Sequence, residues 1–360
     1  MIELLAVPFF MGNVAKADID NSLRLVMVGD MLMHERVMES GLAEDGSYNF
    51  DHLFVHVKDT IVSADVALVN QETILGGTEL RLSGYPAFNS PYELGDGLAD
   101  AGFDVVLHAT NHTLDKGKKG VLNCMNYWKE SHPQIAFLGI NENEDMYQDF
   151  LYIYEHEDMK VAILNYTYGT NGIQPPEDMP YIVNYMDKEK MASDLKKAEE
   201  VADFTVVCPH WGTEYVLNET KSQRQWASFF IENGADLIIG THPHVIEPIK
   251  WEETEEGNRG LVYYSIGNFV NGTSGIGEGT LNRMVGGIAD VTLTRNEDGD
   301  VVIADYGVIP IVCHIDEGTD YTVYYMDDYT EELATKNHII LQDESFNASN
   351  CRRLVEGVWP

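Results

Sequence analysis

The stretch "LIIGTHPHVIE" (residues 237–247) joins an apolar, strand-like run to a chemically reactive loop. The run ends directly in two histidines, His242 and His244, which are separated only by Pro243. The proline fixes its own φ and biases the residue before it away from helical geometry. Strand residues alternate between faces, but the loop at a strand's end can turn both imidazoles toward one point. The stretch therefore predicts a strand whose carboxyl end carries a binding site.

Seven further segments have the β-branched and aromatic composition, and the length, that are typical of strands. They are 23–29, 66–70, 104–110, 135–140, 160–166, 204–209 and 261–267. Helical patterns alternate with them at 187–202, where Asp187 suits an N-cap, and at 221–233, where Gly234 suits the C-terminal left-handed position. A hairpin is predicted over 285–312, around the turn-forming "NEDGD". Strand–helix alternation predicts an α/β fold, here a single domain with a C-terminal decoration.

The charge of the chain limits the classes of ligand. Its 360 residues carry 59 Asp and Glu against 23 Lys and Arg, a formal net charge of −36. Nucleic acid and anionic lipid are bound chiefly through Lys and Arg, so neither is expected as a partner. An anionic substrate would need a local positive centre, such as a metal. Four cysteines lie far apart without a Cys-x-x-Cys pair, which argues against a disulfide scaffold and a zinc knuckle.

The first 20 residues have the pattern of a shortened signal peptide. An apolar stretch at 2–12 precedes the Ala-Lys-Ala sequence at 15–17, which fits an A-x-A cleavage site. The basic region that normally begins a signal peptide is missing, and a short N-terminal strand is the alternative. We interpret residues 1–20 as a signal-peptide remnant and expect an exported protein, extracellular or associated with the cell surface. No later apolar run has membrane-spanning length, so no transmembrane helix is expected.

Polar side chains follow the apolar strands at the points where the strands end. In chain order they are Asp30, Asn70, Glu72, Asn111, His112, Asp115, His210, Glu214, His242, His244 and Asn268. Because ligands of α/β folds bind at the carboxyl ends of strands, we expect these side chains to converge. Carboxylates and imidazoles without a basic residue among them would repel one another unless cations lay between them. Mixed nitrogen and oxygen ligands suit zinc, manganese or iron, so the set predicts a divalent metal site.

Singly, these residues also have simpler interpretations. A carboxylate such as Asp30 could cap a helix, and Glu72 could be a solvated acid on a loop. The Asn111-His112 pair could cap a turn, and a lone histidine such as His210 is more often a satisfied core residue. The order of the whole set, with its members at successive strand ends, favours the metal site.

Six motifs occur in one order along the chain: "VGDMLM", "ADVALVNQET", "ATNHTLDKG", "PHWGTEY", "IIGTHPHV" and "YSIGNF". Together they resemble the CapA family of poly-γ-glutamate capsule biosynthesis proteins, a branch of the calcineurin-like metallophosphatase superfamily. The resemblance covers roughly residues 23–315. It implies a four-layer α/β/β/α sandwich, with two sheets face to face, in an exported or surface-anchored protein. On this basis residues 21–315 are the metallophosphatase-like domain and 316–360 a C-terminal extension.

The resemblance also implies a set of six metal ligands: Asp30, Glu72, Asn111, His210, His242 and His244. Glu72 would bridge two ions, with Asp30 and His244 on the first ion and the other three ligands on the second. His112 resembles the superfamily's histidine that protonates a leaving oxygen, and Asp115 would orient it. The implied cofactor is one or two divalent ions, manganese, zinc or iron, in the manner of a two-metal hydrolase.

One position departs from the superfamily pattern. The first motif is normally Asp-x-His, and Leu32 stands where the histidine would be. The first ion therefore lacks a ligand, and His34 is too far along for the same geometry unless a tight loop brings it in. Three consequences stay open: a single ion, a weakly held second ion, or completion of the site by a residue such as Glu214.

Two functions are compatible with these features. The first is metal-dependent hydrolysis or transfer at a phosphoester or γ-glutamyl bond in capsule polymer synthesis or processing, which His112 beside Asn111 favours. The second is a non-catalytic subunit of a capsule synthesis or export complex, which Leu32 favours. The expected partners are an anionic substrate or γ-glutamyl polymer and the capsule synthesis machinery. No Gly-rich GK[ST] loop occurs, so an ATP-driven ligase is not expected.

Overall fold

The computed structural model describes residues 22–273, 275–316 and 320–359. Within these ranges the strands are β1 Ser22–Met31, β2 Val66–Asn70, β3 Val105–Leu107, β4 Ala136–Leu138, β5 Tyr152–His156, β6 Met159–Thr167, β7 Phe204–His210, β8 Leu237–Ile239, β9 Ile249–Glu253, β10 Arg259–Tyr263, β11 Asn268–Val270, β12 Val285–Arg295, β13 Val301–Asp316 and β14 Asp320–Tyr325. The α-helices there are α1 Glu35–Ser40, α2 Lys58–Val62, α3 Glu93–Ala101, α4 Gly117–Ser131, α5 Glu144–Asp149, α6 Lys188–Val201, α7 Lys221–Glu232, α8 Glu331–Lys336 and α9 Ala348–Val358. The signal-peptide interpretation of residues 1–20 lies outside the described residues.

The strands form two sheets, each with a parallel centre. The first sheet has the order β14-β13-β12-β1-β2-β3-β4, and β11 pairs with β1 outside this path. The second sheet has the order β5-β6-β7-β8-β10-β9. Strands β1 to β4 run parallel, as do β6, β7, β8 and β10. Parallel strands at the centre of a fold are buried on both faces, which explains why they appear in the sequence as continuous apolar runs.

The two sheets pack face to face around a shared apolar core. Leu25 and Met27 of β1 lie in this core together with Val161 of β6 and Val206 of β7. Because side chains alternate along a strand, the residues between them face outward. This core joins the two sheets into one sandwich.

The outer face of each sheet is covered by helices. In the first sheet Val26 packs in a second core that includes Leu98 of α3 and Val121 of α4. In the second sheet Ile238 packs in a third core that includes Phe230 of α7. The layers are therefore helix, sheet, sheet, helix, and the predicted α/β/β/α fold class is confirmed.

Several local predictions are also met by the structure. Helix α6 begins after Asp187, whose side chain accepts a hydrogen bond from the Lys190 backbone N–H at 2.9 Å. Helix α7 begins after Thr220, which forms a capping box with Gln223. Gly234, two residues after the end of α7, has a φ of +103°. Strands β12 and β13 pair antiparallel around the predicted turn.

The C-terminal segment packs on the first sheet. Strand β14 pairs antiparallel with β13, and Ala334 of α8 and Cys351 of α9 lie in the same core as Val26. Strand β13 crosses the predicted boundary at residue 315, and the division into domain and extension stays a prediction. The four cysteines are buried and unbridged. In the part of the chain that is described, no helix has the length and apolarity needed to cross a membrane.

Candidate metal centre

The carboxyl ends of strands from both sheets meet at one edge of the sandwich. Asp30 is the penultimate residue of β1 in the first sheet, and His210 is the last residue of β7 in the second. Asp30 Oδ1 lies 4.0 Å from His210 Nδ1. The side chains that follow the strands therefore converge across the sheet–sheet interface, where the geometry of parallel strands places ligands.

Glu72 lies at the centre of the converging side chains. Its Oε1 is 3.6 Å from His244 Nε2, 3.9 Å from His210 Nε2 and 4.0 Å from His112 Nε2. The residue is only 1% exposed, yet neither carboxylate oxygen has a hydrogen-bond partner among the described residues. A buried polar atom is nearly always paired, so these two oxygens are unusual.

Asp30 is held in place by two hydrogen bonds and by a close contact with His244. Asn70 Nδ2 donates to Oδ1 at 2.8 Å, and the backbone N–H of His242 donates to Oδ2 at 3.1 Å. His244 Nδ1 lies 3.2 Å from Oδ2 and 3.0 Å from Asn268 Oδ1. The Asn residues that end β2 and begin β11 therefore orient the ligand atoms next to them.

Asn111 and His242 complete the cluster on the side of the second sheet. Asn111 Oδ1 lies 2.9 Å from His210 Nε2, and Thr241 Oγ1 lies 3.0 Å from His210 Nδ1. The rings of His210 and His242 have centroids 4.8 Å apart. His242 Nδ1 is buried and has no hydrogen-bond partner among the residues described, so its lone pair or proton faces no protein atom that could use it.

An unusual backbone conformation aims both histidines at this point. His242 has a φ of +99° and His244 a φ of +58°. Positive φ is rare in residues other than glycine, and such strain persists only where the surroundings impose it. Here the His242 backbone N–H is bonded to Asp30, and the carbonyl of Pro243 accepts from the Tyr215 backbone N–H at 2.8 Å. These bonds hold the loop in the turned conformation predicted for the end of β8.

The electrostatics of the cluster suit a cation. Burial raises the pKa of the Glu72 carboxyl well above its ordinary value, because the charged form loses its hydration. Burial likewise lowers the pKa of His210 and of His242 well below the ordinary value, and neighbouring histidines add to this effect. Burial alone would lower the pKa of His244, but Glu72 and Asp30 outweigh it and raise this pKa to about 9. His210 and His242 are therefore neutral near pH 7, the form in which imidazole binds metal.

The donor set fits one or two divalent ions. Among the described residues, three groups have ligand atoms within 4.8 Å of one another. They are Glu72 with His210 and His242, Asp30 with Glu72 and His244, and Glu214 with His242 and His244. Mixed carboxylate and imidazole ligands are those of zinc, manganese and iron sites. The two unpaired oxygens of Glu72 are the observation in this fold that a cation would explain.

His112 and Asp115 form a pair beside this cluster. His112 Nδ1 lies 2.7 Å from Asp115 Oδ2, which also accepts a hydrogen bond from the Phe88 backbone N–H at 2.7 Å. The edge of one ring meets the face of the other between Phe88 and His112, with centroids 4.7 Å apart. These contacts fix the imidazole so that Nε2 points toward Glu72. All eight residues singled out as ligands or catalytic groups are thus brought together, while their roles stay predictions.

The region around Leu32 differs from the rest of the site. Leu32 is buried and lines a cavity of about 290 Å³ that opens beside His112 and His244. A tight turn, in which the His34 N–H donates to the Leu32 carbonyl at 2.9 Å, brings His34 to the same cavity. Burial and the nearby His244 lower the pKa of His34 to about 4. Glu214, one of the open alternatives, also lines this cavity and belongs to one of the three ligand groups.

Two residues of the site were missed in the sequence. Arg283 lies in a short 3₁₀ helix, Thr280–Met284, and Tyr215 follows the "HWGTE" motif. The guanidinium carbon of Arg283 lies 3.7 Å from the centroid of the Tyr215 ring. Tyr215 could have been singled out from the sequence, because it is the last residue of the motif "PHWGTEY". No local pattern marks Arg283, because its place beside the cavity depends on how β11 and β12 fold back on β1.

Comparison with known proteins gives the same family as the motifs. The profile of the family described as "Bacterial capsule synthesis protein PGA_cap" matches residues 24–273. The chain is 27% identical over 260 residues to "Capsule biosynthesis protein CapA" of Bacillus anthracis, covering 70% of this chain and 60% of that protein. It is 28% identical over 260 residues to "PGA biosynthesis protein CapA" of Bacillus subtilis strain 168, covering 70% of this chain and 64% of that protein. The match thus spans less than two thirds of either relative.

Among solved structures, two nucleotidases are similar in fold to this chain. One is the NAD nucleotidase NadN of Haemophilus influenzae, with a TM-score of 0.49 and 11% identity over 93% of this chain and 66% of that chain. The other is a 5'-nucleotidase precursor from Thermus thermophilus, with a TM-score of 0.46 and 13% identity over 94% of this chain and 59% of that chain. Because the family profile spans most of the sequence, the chain belongs to the bacterial capsule synthesis protein family PGA_cap, and the family predicted from the six motifs is confirmed.

Proposed function

We propose that this chain is a metal-dependent hydrolase or transferase that acts on a phosphoester or γ-glutamyl bond in capsule polymer synthesis or processing. The observation that carries the proposal is Glu72, a buried carboxylate with two unpaired oxygens beside three imidazoles. An isolated buried charge is costly unless it is paired or coordinates a metal. A fold that needed only a filled core would have no use for this arrangement.

The residues that would hold metal fall into two overlapping sets. The first set has every ligand that the family resemblance implies for one ion: Glu72, Asn111, His210 and His242. Asp30, Glu72 and His244 form the set that lacks the ligand replaced by Leu32, and Glu214 is placed to assist it. A divalent ion held there would supply Lewis-acid chemistry, activating a water molecule and stabilising negative charge on the group under attack.

His112 has the geometry of a proton donor to the leaving atom. Its Nδ1–H donates to Asp115, whose carboxylate fixes the orientation of the ring. Nε2 is then free to give its proton to the oxygen or nitrogen that departs when water adds across the bond. Asp115 is itself fixed by the Phe88 backbone, so the pair stays aligned without the substrate.

The cavity beside the site could hold either a small anionic substrate or one unit of a longer anionic polymer. It opens between the cluster and the region of Leu32, and it is lined by His112 and His244. In a chain of net charge −36, a polyanion would be repelled from most of the surface and attracted only where cations lie. We propose a γ-glutamyl polymer or a phosphoester as substrate, at the cell surface or outside the cell, with the capsule machinery as partner.

Activity measured with a loaded and a chelated enzyme tests the proposal. The chain would be loaded with Mn²⁺ or Zn²⁺ and assayed on p-nitrophenyl phosphate, bis-p-nitrophenyl phosphate, γ-glutamyl-p-nitroanilide and poly-γ-glutamate. We expect metal-dependent turnover of at least one substrate. His112→Ala should lower kcat by roughly 10²- to 10⁴-fold, the usual contribution of a general acid, while bound metal is retained.

A matched control is His132→Ala. His132 Nε2 lies 2.7 Å from Asp96 Oδ1, so this variant also removes a histidine paired with an aspartate, but one outside the cluster. It should leave turnover unchanged. If metal binds tightly and no substrate is turned over, catalysis is refuted and a non-catalytic subunit of a capsule complex becomes the better function.

A further inference from the structure

Arg283 is the one Arg or Lys among the described residues that line the cavity beside the metal centre. The rest of the lining is mixed: it combines apolar, aromatic and neutral polar side chains with the acid Glu214 and three histidines, His34, His112 and His244. The guanidinium of Arg283 is positive at any physiological pH, whereas the charge of the neighbouring histidines depends on protonation, and the chain as a whole has 59 acids against 23 bases. The position of Arg283 raises the question of what it binds.

The guanidinium of Arg283 is held in a fixed orientation. It lies on the face of the Tyr215 ring, with Cζ 3.7 Å from the centroid, and Nη1 donates to Thr273 Oγ1 at 2.9 Å. Stacking on an aromatic ring is a stable arrangement for Arg, because the ring face attracts its positive charge. The group is therefore preorganised and does not swing freely in solvent.

Arg283 is also tied to the metal centre through the backbone. Its carbonyl accepts a hydrogen bond from Asn268 Nδ2 at 2.9 Å, and Asn268 Oδ1 lies 3.0 Å from His244 Nδ1. Its stacking partner Tyr215 donates through its backbone N–H to Pro243, between the two site histidines. Both connections fix the distance between the guanidinium and the proposed reacting centre.

Most of the hydrogen-bonding capacity of Arg283 is unused. Arginine has five N–H donors, and the side chain makes one hydrogen bond within the described ranges. Its Nε is buried and has no partner there. A buried unpaired donor is destabilising, and the fork geometry of guanidinium matches a carboxylate or phosphate in two parallel hydrogen bonds.

We propose that Arg283 binds a carboxylate of the substrate that lies outside the reacting bond, and so selects γ-glutamyl compounds over simple phosphoesters. The inference rests on the proposed function and narrows its substrate class. A phosphomonoester carries its charge on the group that reacts, which would lie at the metal centre. A γ-glutamyl unit carries its α-carboxylate a few bonds from the reacting amide, where a second, fixed cation can bind it.

Binding and turnover of matched compounds test this assignment. The first measurement is calorimetric titration of the metal-loaded protein with the dipeptide γ-Glu-γ-Glu. The second compares γ-glutamyl-p-nitroanilide with 4-aminobutyryl-p-nitroanilide, which lacks only the α-carboxylate. Arg283→Met should weaken dipeptide binding by about 10- to 100-fold, the usual effect of losing charged hydrogen bonds, and should abolish the preference for the carboxylated anilide mainly through KM.

Two further variants separate recognition from folding. Arg259→Met removes a guanidinium that also stacks on an aromatic ring, with Cζ 4.1 Å from the Trp251 centroid, but it lines a different surface depression. It should bind the dipeptide as the wild type does. Arg283→Lys keeps the charge but loses the two-pronged geometry of the guanidinium, so it should bind the dipeptide with intermediate affinity. If Arg283→Met fails to fold, the affinity of Arg283→Lys tests the assignment instead.

The outcomes for this inference and for the proposed function differ. If Arg283→Met binds the dipeptide as tightly as the wild type, or keeps the preference for the carboxylated anilide, the assignment is overturned. If the wild type turns over phosphoesters but neither binds nor cleaves γ-glutamyl compounds, the assignment is overturned while the hydrolase stands. If the dipeptide binds through Arg283 and nothing is turned over, the assignment stands and the proposed catalysis fails.

Discussion

Two buried carboxylates of this molecule are treated in opposite ways. Asp194 on α6 is 7% exposed, and it accepts hydrogen bonds from Lys190, one turn earlier on the same helix, and from the hydroxyl of Tyr166 at 2.9 Å. Glu72 is 1% exposed, and its oxygens have no partner in the described parts of the chain. The first carboxylate has a lysine and a hydroxyl as hydrogen-bond donors, whereas the second has no donor among the described residues and only the His244 ring, at 3.6 Å, as a positively charged neighbour.

The difference teaches where a ligand is expected. A buried ion pair is complete within the protein, and removing one partner leaves a costly unpaired charge. Glu72 lacks hydrogen-bond donors in the described residues, His210 beside it is neutral near pH 7, and the positive charge of His244 is shared with Asp30. The burial of the two acids is similar, so burial alone does not identify a site. The missing partner does.

The strongest test of the Glu72 region is the loss of metal on truncating its histidines. His242→Ala should remove most of the bound metal, because His242 belongs to the ligand set that is complete. His244→Ala should remove less, since its set already lacks the ligand at Leu32. Metal analysis of the purified variants measures both. If His244→Ala loses all metal while His242→Ala keeps it, the two assignments are reversed.

Restoring the missing ligand provides the complementary control for this test. Leu32 lines the cavity beside His244, so Leu32→His would place an imidazole next to the weaker ligand set. The metal content per chain should rise above the wild-type value. An unchanged content would show that the turn between Leu32 and His34 directs the new side chain elsewhere.

A substitution in the Asp194 region should change the free energy of unfolding and leave the metal content unchanged. Lys190→Met leaves the Asp194 carboxylate without its cation, and we expect a loss of about 3 kcal/mol in the free energy of unfolding. Metal content should stay at the wild-type level. Urea unfolding measures the loss, and Lys196→Met, an exposed position on the same helix, is the control with little effect. Equal losses from both variants would mean that the buried pair contributes nothing.

Metal should stabilise the fold through Glu72. At a free metal concentration of about 100 times Kd, mass action adds about 2.7 kcal/mol to the free energy of unfolding, and a chelator removes it. Glu72→Gln should lose this response. In chelator it should be at least as stable as the wild type, because the wild-type carboxyl must either be buried as a charge or take up a proton, and the amide does neither. Thermal melts with and without Mn²⁺, Zn²⁺ or chelator measure these differences. A wild-type melting temperature that is the same in all of these conditions argues against the site.

A third buried carboxylate, Glu247, gives a pH-dependent effect that is smaller. Its Oε2 accepts from Gln223 Nε2 at 2.6 Å, Oε1 has no partner among the described residues, and burial raises its pKa to about 8. In the unfolded chain this group ionises near its ordinary pKa, so the unfolded state loses the proton first. Its contribution to stability therefore falls as pH rises from about 4.5 to about 8 and is most unfavourable above that range.

Glu247→Gln removes this titration. Relative to the wild type, the variant should gain stability between about pH 5 and about pH 9, on the order of 2 kcal/mol. The difference in stability between variant and wild type is compared at the two pH values, so any effect of altered hydrogen bonding that does not depend on pH cancels. Urea unfolding at both values measures the gain. An offset that is the same at the lower and the higher pH would contradict the ionisation of Glu247 in this range.

Much of the fold could be predicted because its central strands are parallel and buried on both faces. Such strands produce continuous apolar runs, as at 23–29 and 204–209, and their ends produce the polar residues of the site. Strands β5, β9, β11 and β14 were not predicted. They are short, or lie at the edge of a sheet, and their sequences mix polar and apolar residues without a clear period.

The site was predictable where ligands directly follow strands and not where tertiary structure alone places them. Asp30, Glu72, His210 and His242 lie at or just after strand ends and were named from the sequence, although their roles as ligands stay predictions. Arg283 was missed, because its significance comes from stacking on a ring that belongs to a distant part of the chain, in a pairing that no local spacing encodes.

The hydrogen bond between the His242 backbone and Asp30 joins residues 212 positions apart. Closing so long a loop is entropically expensive, and we therefore expect this contact to form late in folding. The ligand cluster, which draws on both sheets, therefore assembles only after the sandwich exists. Interactions that are absent from the folding transition state change the unfolding rate and not the folding rate. Metal at this site would set how long the native state persists, while the chain would fold as fast without it.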